Sequence, residues 1–237
     1  MKPMSTAATI KKELKKISDK DKAIQLMRFF KTGKGEYGEG DVFIGITVPD
    51  QRKIAKQFYG SELSEIEKLL QDPIHEYRLT ALLILTIKYK KADDDGKLKI
   101  VELYLANTSK INNWDLVDLS SPRIIGDYYY GRDRDILYRL VNSSSLWEQR
   151  IAVVSTYFFI KRNDFKEILA FSEMLLGHKH DLIHKATGWM LREAGKMDLS
   201  VLTGFLDKYS KIMPRTMLRY AIEKLDENER QKYMAKK

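Results

Sequence analysis

Apolar residues recur along this chain at intervals of three and four positions, which places them on one face of a helix. The groups with this spacing are Ile24, Met27 and Phe30; Leu79, Leu82 and Leu83; Val101, Tyr104 and Leu105; and Leu202, Phe205 and Leu206. The apolar run 42–46 is short and lacks the alternation of a strand, so we expect a loop that packs into the core. The pattern predicts an all-α protein.

Turn-forming residues divide the helical pattern into segments of roughly 10–18 residues. The predicted breaks are Asp72-Pro73, the run 92–96, Ser120-Ser121-Pro122, the run 142–145 and Met213-Pro214. A further helix is predicted to begin at Val48-Pro49, since proline is tolerated in the first turn. The glycine-rich run 31–41 lacks the residue order of a phosphate-binding loop, and we interpret it as a connecting loop.

A basic residue precedes a small and apolar helix core at four places, namely Arg78, Arg150, Lys185 and Arg219. The spacings are 72, 35 and 34 residues, and a further copy is expected near position 114. A period close to 36 residues that holds two helices is typical of a superhelical solenoid, with the second helix of each pair on a concave face. We predict one such domain over residues 1–237. The alternative is a generic helical bundle in which the spacing is a coincidence.

Composition narrows the functional classes. A hydrophobic content of 43% and an aromatic content of 11% exclude wholesale disorder. The absence of cysteine excludes disulfides, a thiolate nucleophile and cysteine zinc ligands. Residues 1–6 are not followed by an apolar core of signal-peptide length, and the longest apolar runs are too short to cross a bilayer. We therefore expect a soluble cytoplasmic protein.

The net charge is +9, with an isoelectric point of about 9.4. This charge favours a partner that is an acidic polymer or a membrane surface. The alternative is a lysine-rich surface that serves only solvation.

Trp114 and Asp118 form the most informative pair in the sequence, because positions i and i+4 lie one above the other on a helix. Asp118 is the best catalytic candidate, although it could also be an ordinary surface or capping residue. Trp189 is the second aromatic candidate, because Gly188 is expected to leave room beside it. Tryptophans at helical spacing are nevertheless usually core residues. A carboxylate beside Arg150 would stay ionised and could stabilise a positive charge.

Several other residues have competing interpretations. Arg150, Lys185 and Arg192 are expected to contact phosphates, although the two arginines could instead bond carbonyl groups of neighbouring helices. We favour that structural role for Arg78 and Arg219. Trp147 is more readily explained as a packing residue. The group His178, His180 and His184 could suggest a metal site, but no carboxylate cluster accompanies it, so we predict no metal.

Four motifs, in their order and spacing, resemble the bacterial alkylpurine DNA glycosylase D family of HEAT-like-repeat DNA alkylation repair enzymes. The resemblance runs over nearly the whole chain. The motifs are Phe43-Ile44-Gly45-Ile46-Thr47-Val48-Pro49, Asn113-Trp114-Asp115-Leu116-Val117-Asp118, Trp147-Glu148-Gln149-Arg150 and Gly188-Trp189-Met190-Leu191-Arg192-Glu193. The chain departs from some relatives at Phe29-Phe30, where they carry a tyrosine, and in a longer loop at 33–40.

The resemblance implies a superhelical solenoid of HEAT-like helical-pair repeats with a concave basic face. It also implies a monofunctional DNA glycosylase that removes cationic N3- and N7-alkylpurines from duplex DNA without flipping the nucleotide. Trp114, Asp118 and Trp189 fall on the family's positions around the deoxyribose, and Arg150 falls on its active-site arginine. No cofactor, no metal and no obligate protein partner are expected, and the protein should be a monomer.

We further expect DNA contacts at two pairs of residues, Lys185 with Arg192 and Thr47 with Arg52. Two other functions compete with the glycosylase. One is a non-catalytic DNA-structure-binding protein on the same scaffold. The other is a helical-repeat scaffold that binds proteins, for which the basic face would be incidental.

Overall fold

The computed structural model describes residues 6–235, and the expectation about a signal sequence at residues 1–5 lies outside this range. The regular structure is helical, and residues 6–235 contain no β-strand, so the all-α prediction is confirmed. The helices are α1 (Thr6–Lys16), α2 (Lys20–Phe29), α3 (Val48–Gln57), α4 (Leu63–Leu70), α5 (His75–Lys91), α6 (Asp94–Ala106), α7 (Trp114–Ser121), α8 (Asp127–Tyr129), α9 (Asp135–Val141), α10 (Leu146–Ser155), α11 (Tyr157–Ile160), α12 (Lys166–Met174), α13 (Asp181–Met197), α14 (Leu199–Tyr209), α15 (Arg215–Ala221) and α16 (Glu227–Ala235).

The chain divides into two compact units, which meet in sequence within α7. Unit 1 ends at Ser120 and unit 2 begins at Ser121. The expectation of one domain over residues 1–237 remains a prediction. No helix among residues 6–235 has the length and apolar character needed to cross a membrane.

Helix α5 is the central helix of unit 1 and packs against α3, α4 and α6. Twelve of its 17 residues are buried, including the apolar run from Leu79 to Leu85. The buried residues also include His75, Glu76 and Arg78. Burying a charged group is costly unless it is paired, so the first turn of α5 must meet polar partners inside unit 1.

Most predicted breaks are confirmed. The turn at Asp72-Pro73 separates α4 from α5, and Met213-Pro214 separates α14 from α15. The run 42–46 forms no strand; Val42 makes only an isolated parallel bridge to Ile74. Helix α3 begins at Val48, as predicted, with Thr47 as its N-cap.

The predicted break at Ser120-Ser121-Pro122 is wrong. A π-helical turn, Pro122–Gly126, continues α7 directly into α8, and Ser121 keeps right-handed helical dihedral angles. Proline has no N–H to donate, and the wider π turn is one way in which a helix accommodates such a defect. The break at 92–96 is shorter than predicted, because Gly96 lies inside α6, where its N–H donates to the capping carboxylate of Asp93.

In unit 2, α13 packs against α10, α12, α14 and α15. Gly188 lies where α13 crosses α15: a Cβ at this position would be 2.4 Å from the carbonyl oxygen of Met217. The expectation that Gly188 leaves room beside Trp189 is therefore wrong. Its missing side chain provides space for the backbone of the next helix, as Gly126 does against Ser155.

Candidate active site

An apolar cavity of about 420 Å³ lies within unit 1. The aromatic rings of Phe29, Phe30, Phe43 and Trp114 form much of its lining. Asp118 also borders the cavity, one helical turn after Trp114 on α7. The predicted pairing of an indole and a carboxylate on one helix face is therefore present at a cavity wall.

Trp114 is half-buried and begins α7. Its ring stacks on Phe30, with ring centroids 5.1 Å apart and an angle of 18° between the planes. The edge of Phe29, which is 63% exposed, meets Trp114 at 5.9 Å. Trp114 is thus a core residue on one side and a lining residue of the cavity on the other.

The stack continues inward from Phe30. Phe30 stacks on Phe43 at 5.0 Å, and Phe43 stacks on the imidazole ring of His75 at 4.4 Å. The four rings therefore form one continuous series that runs from the half-buried Trp114 to the fully buried His75.

His75 lies between two carboxylates. Its Nδ1 is 3.1 Å from Oδ2 of Asp41, and its Nε2 is 2.9 Å from Oδ2 of Asp115. Arg78 donates to the other oxygen of Asp41 at 2.6 Å, and the amide of Asn113 donates to Asp41 at 3.1 Å. All five side chains are buried. Two acids, one histidine and one arginine therefore form a closed charge network beneath the cavity.

The charges of this network shift the pKa values of its members. Burial alone would lower the pKa of His75, but the carboxylates of Asp115 and Asp41 outweigh it and raise that pKa to about 9. Burial alone would raise the pKa of Asp41. The hydrogen bond with His75 and the charge of Arg78 outweigh it, and the pKa of Asp41 lies below its usual value. His75 is consequently an imidazolium at neutral pH.

Glu76 fixes the loop that precedes α3. Its carboxylate accepts hydrogen bonds from the backbone N–H groups of Ile44, Gly45 and Ile46, at 2.8 to 3.2 Å. Gly45 has a φ of +84°, and a Cβ there would be 1.9 Å from the carbonyl oxygen of Asp19. This close approach requires glycine. The loop is thereby fixed beside the cavity.

Asp118 is partly exposed at the cavity wall. Behind it on α7, Ser120 bonds the buried phenol of Tyr104 at 2.9 Å. Burial raises the pKa of Tyr104, and the negative charge of Asp118 acts in the same direction. The Asp118 carboxylate therefore acts electrostatically on the interior of unit 1 while it borders the cavity.

The two predicted DNA contacts of unit 1 differ in position. Thr47 borders the cavity, where its hydroxyl donates to Asp50 at 2.6 Å and accepts from the Asp50 N–H as the N-cap of α3. Arg52 lies on α3 and is partly exposed, but it does not border the cavity. A DNA contact at either residue remains a prediction.

In unit 2, Arg150 is buried and donates to the carbonyl oxygen of Leu182 at 2.6 Å. This bond joins α10 to the first turn of α13, as expected if Arg150 connects neighbouring repeats. Trp189 is half-buried on α13, with its ring 6.3 Å from that of Tyr157. Its place near the deoxyribose, and that of Arg150, remain predictions.

The two predicted phosphate contacts of unit 2 make ion pairs at the surface. Lys185 pairs with Asp181 at 2.7 Å, and Arg192 pairs with Glu223. Both cations are partly exposed. The structural role proposed for Arg78 is confirmed, since this residue also donates to the carbonyl oxygens of Asp72 and Pro73.

The three clustered histidines serve the entry to α13. His180 caps the helix by accepting from the N–H of Leu182, His178 bonds Gln149, and His184 bonds the carbonyl of His178. Among residues 6–235, no group of three or more acidic or histidine side chains is arranged to hold a metal ion.

The glycine-rich run 31–41 connects α2 to the loop before α3. Within it, Glu36 and Glu39 accept hydrogen bonds from the N–H groups of Gly33 and Gly35. The loop therefore uses these two amides to close on itself.

Sequence reasoning missed the network around His75. A usable signal was present: His75, Glu76 and Arg78 precede an apolar run that only a buried helix can contain. Charged residues at the start of such a helix require buried partners. Asp115 was equally visible beside Trp114, but its orientation toward His75 depends on long-range folding.

The sequence profile of the family described as DNA alkylation repair enzyme matches residues 10–225. The chain belongs to the DNA alkylation repair enzyme family. No curated protein matches the sequence. A solved structure of a predicted DNA alkylation repair enzyme from Enterococcus faecalis is similar, with a TM-score of 0.69 and 16% identity over 89% of this chain and 97% of that one.

The structural likeness confirms the predicted fold, which is an all-helical repeat fold as in DNA alkylation repair enzymes. Membership of the family supports a role in the repair of alkylated DNA. The concave basic face and the type of repair chemistry remain predictions.

Proposed function

We propose that this member of the DNA alkylation repair enzyme family is a monofunctional glycosylase for cationic N3- and N7-alkylpurines in duplex DNA. The observation that carries the proposal is the pairing of Trp114 and Asp118 on one face of α7, at the wall of the unit 1 cavity. Family membership supports alkylated DNA as the substrate, and we assign the chemistry to these two residues.

The reaction needs little more than electrostatic stabilisation. An N3- or N7-alkylpurine already carries a positive charge, so the C1′–N9 bond can break with its electron pair leaving on a neutral base. No acid has to protonate the leaving group. The sugar becomes an oxocarbenium ion, which the Asp118 carboxylate and the π face of Trp114 stabilise. Water then adds to C1′ and releases one proton.

The polar residues of the cavity favour excision without nucleotide flipping. An enzyme that flips a base usually reads its edge with hydrogen-bonding groups in a pocket. Here Gln51 bonds the carbonyl of Ile46 and the hydroxyl of Thr80, while Glu76 and His75 are bonded within unit 1. The rest of the lining is mainly apolar and aromatic, with Asp118 as a partly exposed acid and Lys22 as a partly exposed cation.

In the same proposal, Lys185, Arg192, Thr47 and Arg52 contact the DNA, and Trp189 and Arg150 have the roles near the deoxyribose that the family resemblance implies. The four DNA contacts position the duplex without reading its sequence. The mechanism uses no metal, no cofactor and no amine nucleophile, so the protein should leave an intact strand with an abasic site.

The test is release of 7-methylguanine from methylated duplex DNA by the wild-type protein and by Asp118→Asn. We expect the variant to lose about 10²–10³-fold in single-turnover rate, the usual effect of removing one preorganised electrostatic contact. Its affinity for duplex DNA should change little. The matched control is Asp95→Asn, because Asp95 is an exposed acid of unit 1 that pairs with Lys99 and lies away from the cavity.

Two results would contradict the proposal. Release of 7-methylguanine by Asp118→Asn at the wild-type rate would remove the assigned role of the acid. No release by the wild-type protein, together with salt-sensitive binding to branched DNA, would favour the non-catalytic DNA-structure binder.

A further inference from the structure

The closed charge network of unit 1 holds both sequence neighbours of Trp114. Asn113 donates to Asp41, and Asp115 accepts from Nε2 of His75 across 2.9 Å. The side-chain oxygen of Asn113 also accepts from the N–H of Trp114 at 2.9 Å. The first turn of α7 is therefore fixed on both sides of its indole.

A second route joins the same histidine to the indole itself. His75 stacks on Phe43 with 22° between the planes, Phe43 stacks on Phe30, and Phe30 stacks on Trp114 with 18° between the planes. A positive ring over an aromatic face is attractive. The charge on His75 thus stabilises the inner end of the ring series whose outer end is Trp114.

We propose that His75 is a positioning residue that sets Trp114 and, through the first turn of α7, the Asp118 carboxylate at the cavity wall. It acts through Asp115 on the backbone of α7 and through Phe43 and Phe30 on the indole. The proposal rests on the proposed function for its effect on excision, but its effect on Trp114 is independent of any activity.

Charged groups on three elements face His75. Asp41 approaches from the loop before α3, and Asp115 from α7. Arg78 and Glu76 lie on its own helix, where they bond Asp41 and the backbone N–H groups of the run 44–46. Because Asp41, Asp115 and Glu76 outnumber the arginine, loss of the imidazolium charge leaves a buried excess of negative charge that destabilises the position of α7.

The primary experiment measures Trp114 directly. Trp147 and Trp189 are replaced by phenylalanine, so that Trp114 is the remaining tryptophan, and acrylamide quenching is recorded with and without His75→Gln. We expect the quenching constant to rise by about twofold in His75→Gln, since a ring freed from its stack is more accessible to solvent. In the otherwise wild-type chain, His75→Gln should lower the single-turnover excision rate about 10- to 100-fold, the usual cost of a misplaced catalytic group, with duplex affinity retained.

The matched control is Asn107→Ala. Asn107 is also buried in unit 1, where it bonds Gln71 and Glu67, two residues that belong neither to the ring series nor to the charge network. This control should lower stability without changing the quenching of Trp114. Where His75→Gln does not fold, Asp115→Asn replaces it, because the amide keeps a hydrogen bond to His75 while removing one charge.

The pH dependence of excision tests the role of the charge on His75. The wild-type excision rate should fall as the pH rises through about 9, where His75 loses its proton, and His75→Gln should lack this step. Equal quenching of Trp114 in the single-tryptophan wild type and His75→Gln would overturn the proposal even if the enzyme excises alkylpurines. If the wild-type protein releases no base but His75→Gln still exposes Trp114, the glycosylase proposal fails and the positioning role stands.

Discussion

Units 1 and 2 support their helix-borne tryptophans by different physical means. In unit 1, Trp114 stacks on a series of buried rings, and its neighbour Asp115 belongs to a buried network of charges. In unit 2, Trp189 follows a glycine that lets α13 touch the backbone of α15, and the nearby cations pair at the surface. A buried charge network is far more sensitive to the loss of one member than a surface pair. Substitutions in unit 1 should therefore have the larger effects.

The histidines of the two units differ in the direction of their pKa shifts. The pKa of His75 in unit 1 is raised by Asp115 and Asp41 against the effect of burial. In unit 2, burial and the charge of His184 lower the pKa of His178, and burial chiefly lowers that of His180. Unit 1 is thus stabilised by a protonated histidine and unit 2 by neutral ones, so the two units should respond to pH in opposite directions.

The largest expected loss of stability is that of Glu76→Ala. Its carboxylate serves three backbone N–H groups, and each buried donor left without an acceptor costs about 1–3 kcal/mol. We expect the free energy of unfolding to fall by about 4 kcal/mol in urea titrations. Glu223→Ala, which removes the surface partner of Arg192 in unit 2, is the control and should have little effect. Similar losses in both variants would contradict the difference between the units.

The pH dependence of His75 should be the next largest effect. A pKa raised from 6.5 to about 9 gives a stabilisation that is complete below pH 6.5 and is lost as the pH rises through about 9. The loss is about 3 kcal/mol at most, since one pKa unit corresponds to about 1.4 kcal/mol. The free energy of unfolding, measured between pH 6 and pH 10, should fall in the wild type and stay flat in His75→Gln.

His178 and His180 should give the opposite dependence of stability on pH. Their lowered pKa values give a contribution that is present above pH 6.5 and is lost as the pH falls below it. His178→Gln should therefore flatten part of the decrease in stability on the acid side and leave the alkaline side unchanged. If His178→Gln also loses the alkaline decrease in stability, as predicted for His75→Gln, the assignment of that decrease to His75 is wrong.

A smaller effect is expected for Gly188→Ala in unit 2. The new Cβ would lie 2.4 Å from the carbonyl oxygen of Met217 and 2.6 Å from the Cβ of Tyr220, so α13 and α15 must separate. We expect a loss of about 2 kcal/mol in the free energy of unfolding. Gly204→Ala on α14 is the matched control, because a Cβ there meets nothing within 4 Å. That substitution should stabilise the protein by about 0.5–1 kcal/mol.

The contrast between these two glycines also shows what sequence patterns can predict. The three- and four-residue spacing predicts the helices correctly, and proline correctly marks the turns at Asp72-Pro73 and Met213-Pro214, because these features depend on local preferences. The prediction for Gly188 is wrong, because whether a glycine provides space for a ligand or for another helix depends on packing between repeats. The predicted break at Pro122 is wrong for a similar reason, since a π turn has no distinct signal in one sequence.

The same contrast between local and long-range information applies to the candidate site. The pairing of Trp114 with Asp118 follows from helical geometry alone, and the structure has both residues at one cavity. The network of His75 with Asp41 and Asp115 joins segments 34 and 40 residues apart in sequence. Contacts over such separations require knowledge of the tertiary fold. The sequence could indicate only that buried charges at the start of α5 need partners.

The smallest expected change in stability concerns Lys185, whose pair with Asp181 on α13 is partly exposed. Lys185→Ala should change the free energy of unfolding by about 0.5 kcal/mol or less, as for most surface pairs. If Lys185 contacts a phosphate, the variant should nevertheless bind duplex DNA more weakly, and the slope of log K against log salt should decrease by about 0.9. The matched control is Lys99→Ala in unit 1, because Lys99 also pairs with an acid one turn away, at 2.6 Å, and has no predicted DNA contact. Equal salt slopes for the two variants would show that Lys185 does not contact DNA. A shallower slope in Lys185→Ala alone would show that unit 2 contributes to DNA binding through a partly exposed charge. That charge adds little to the stability of the unit.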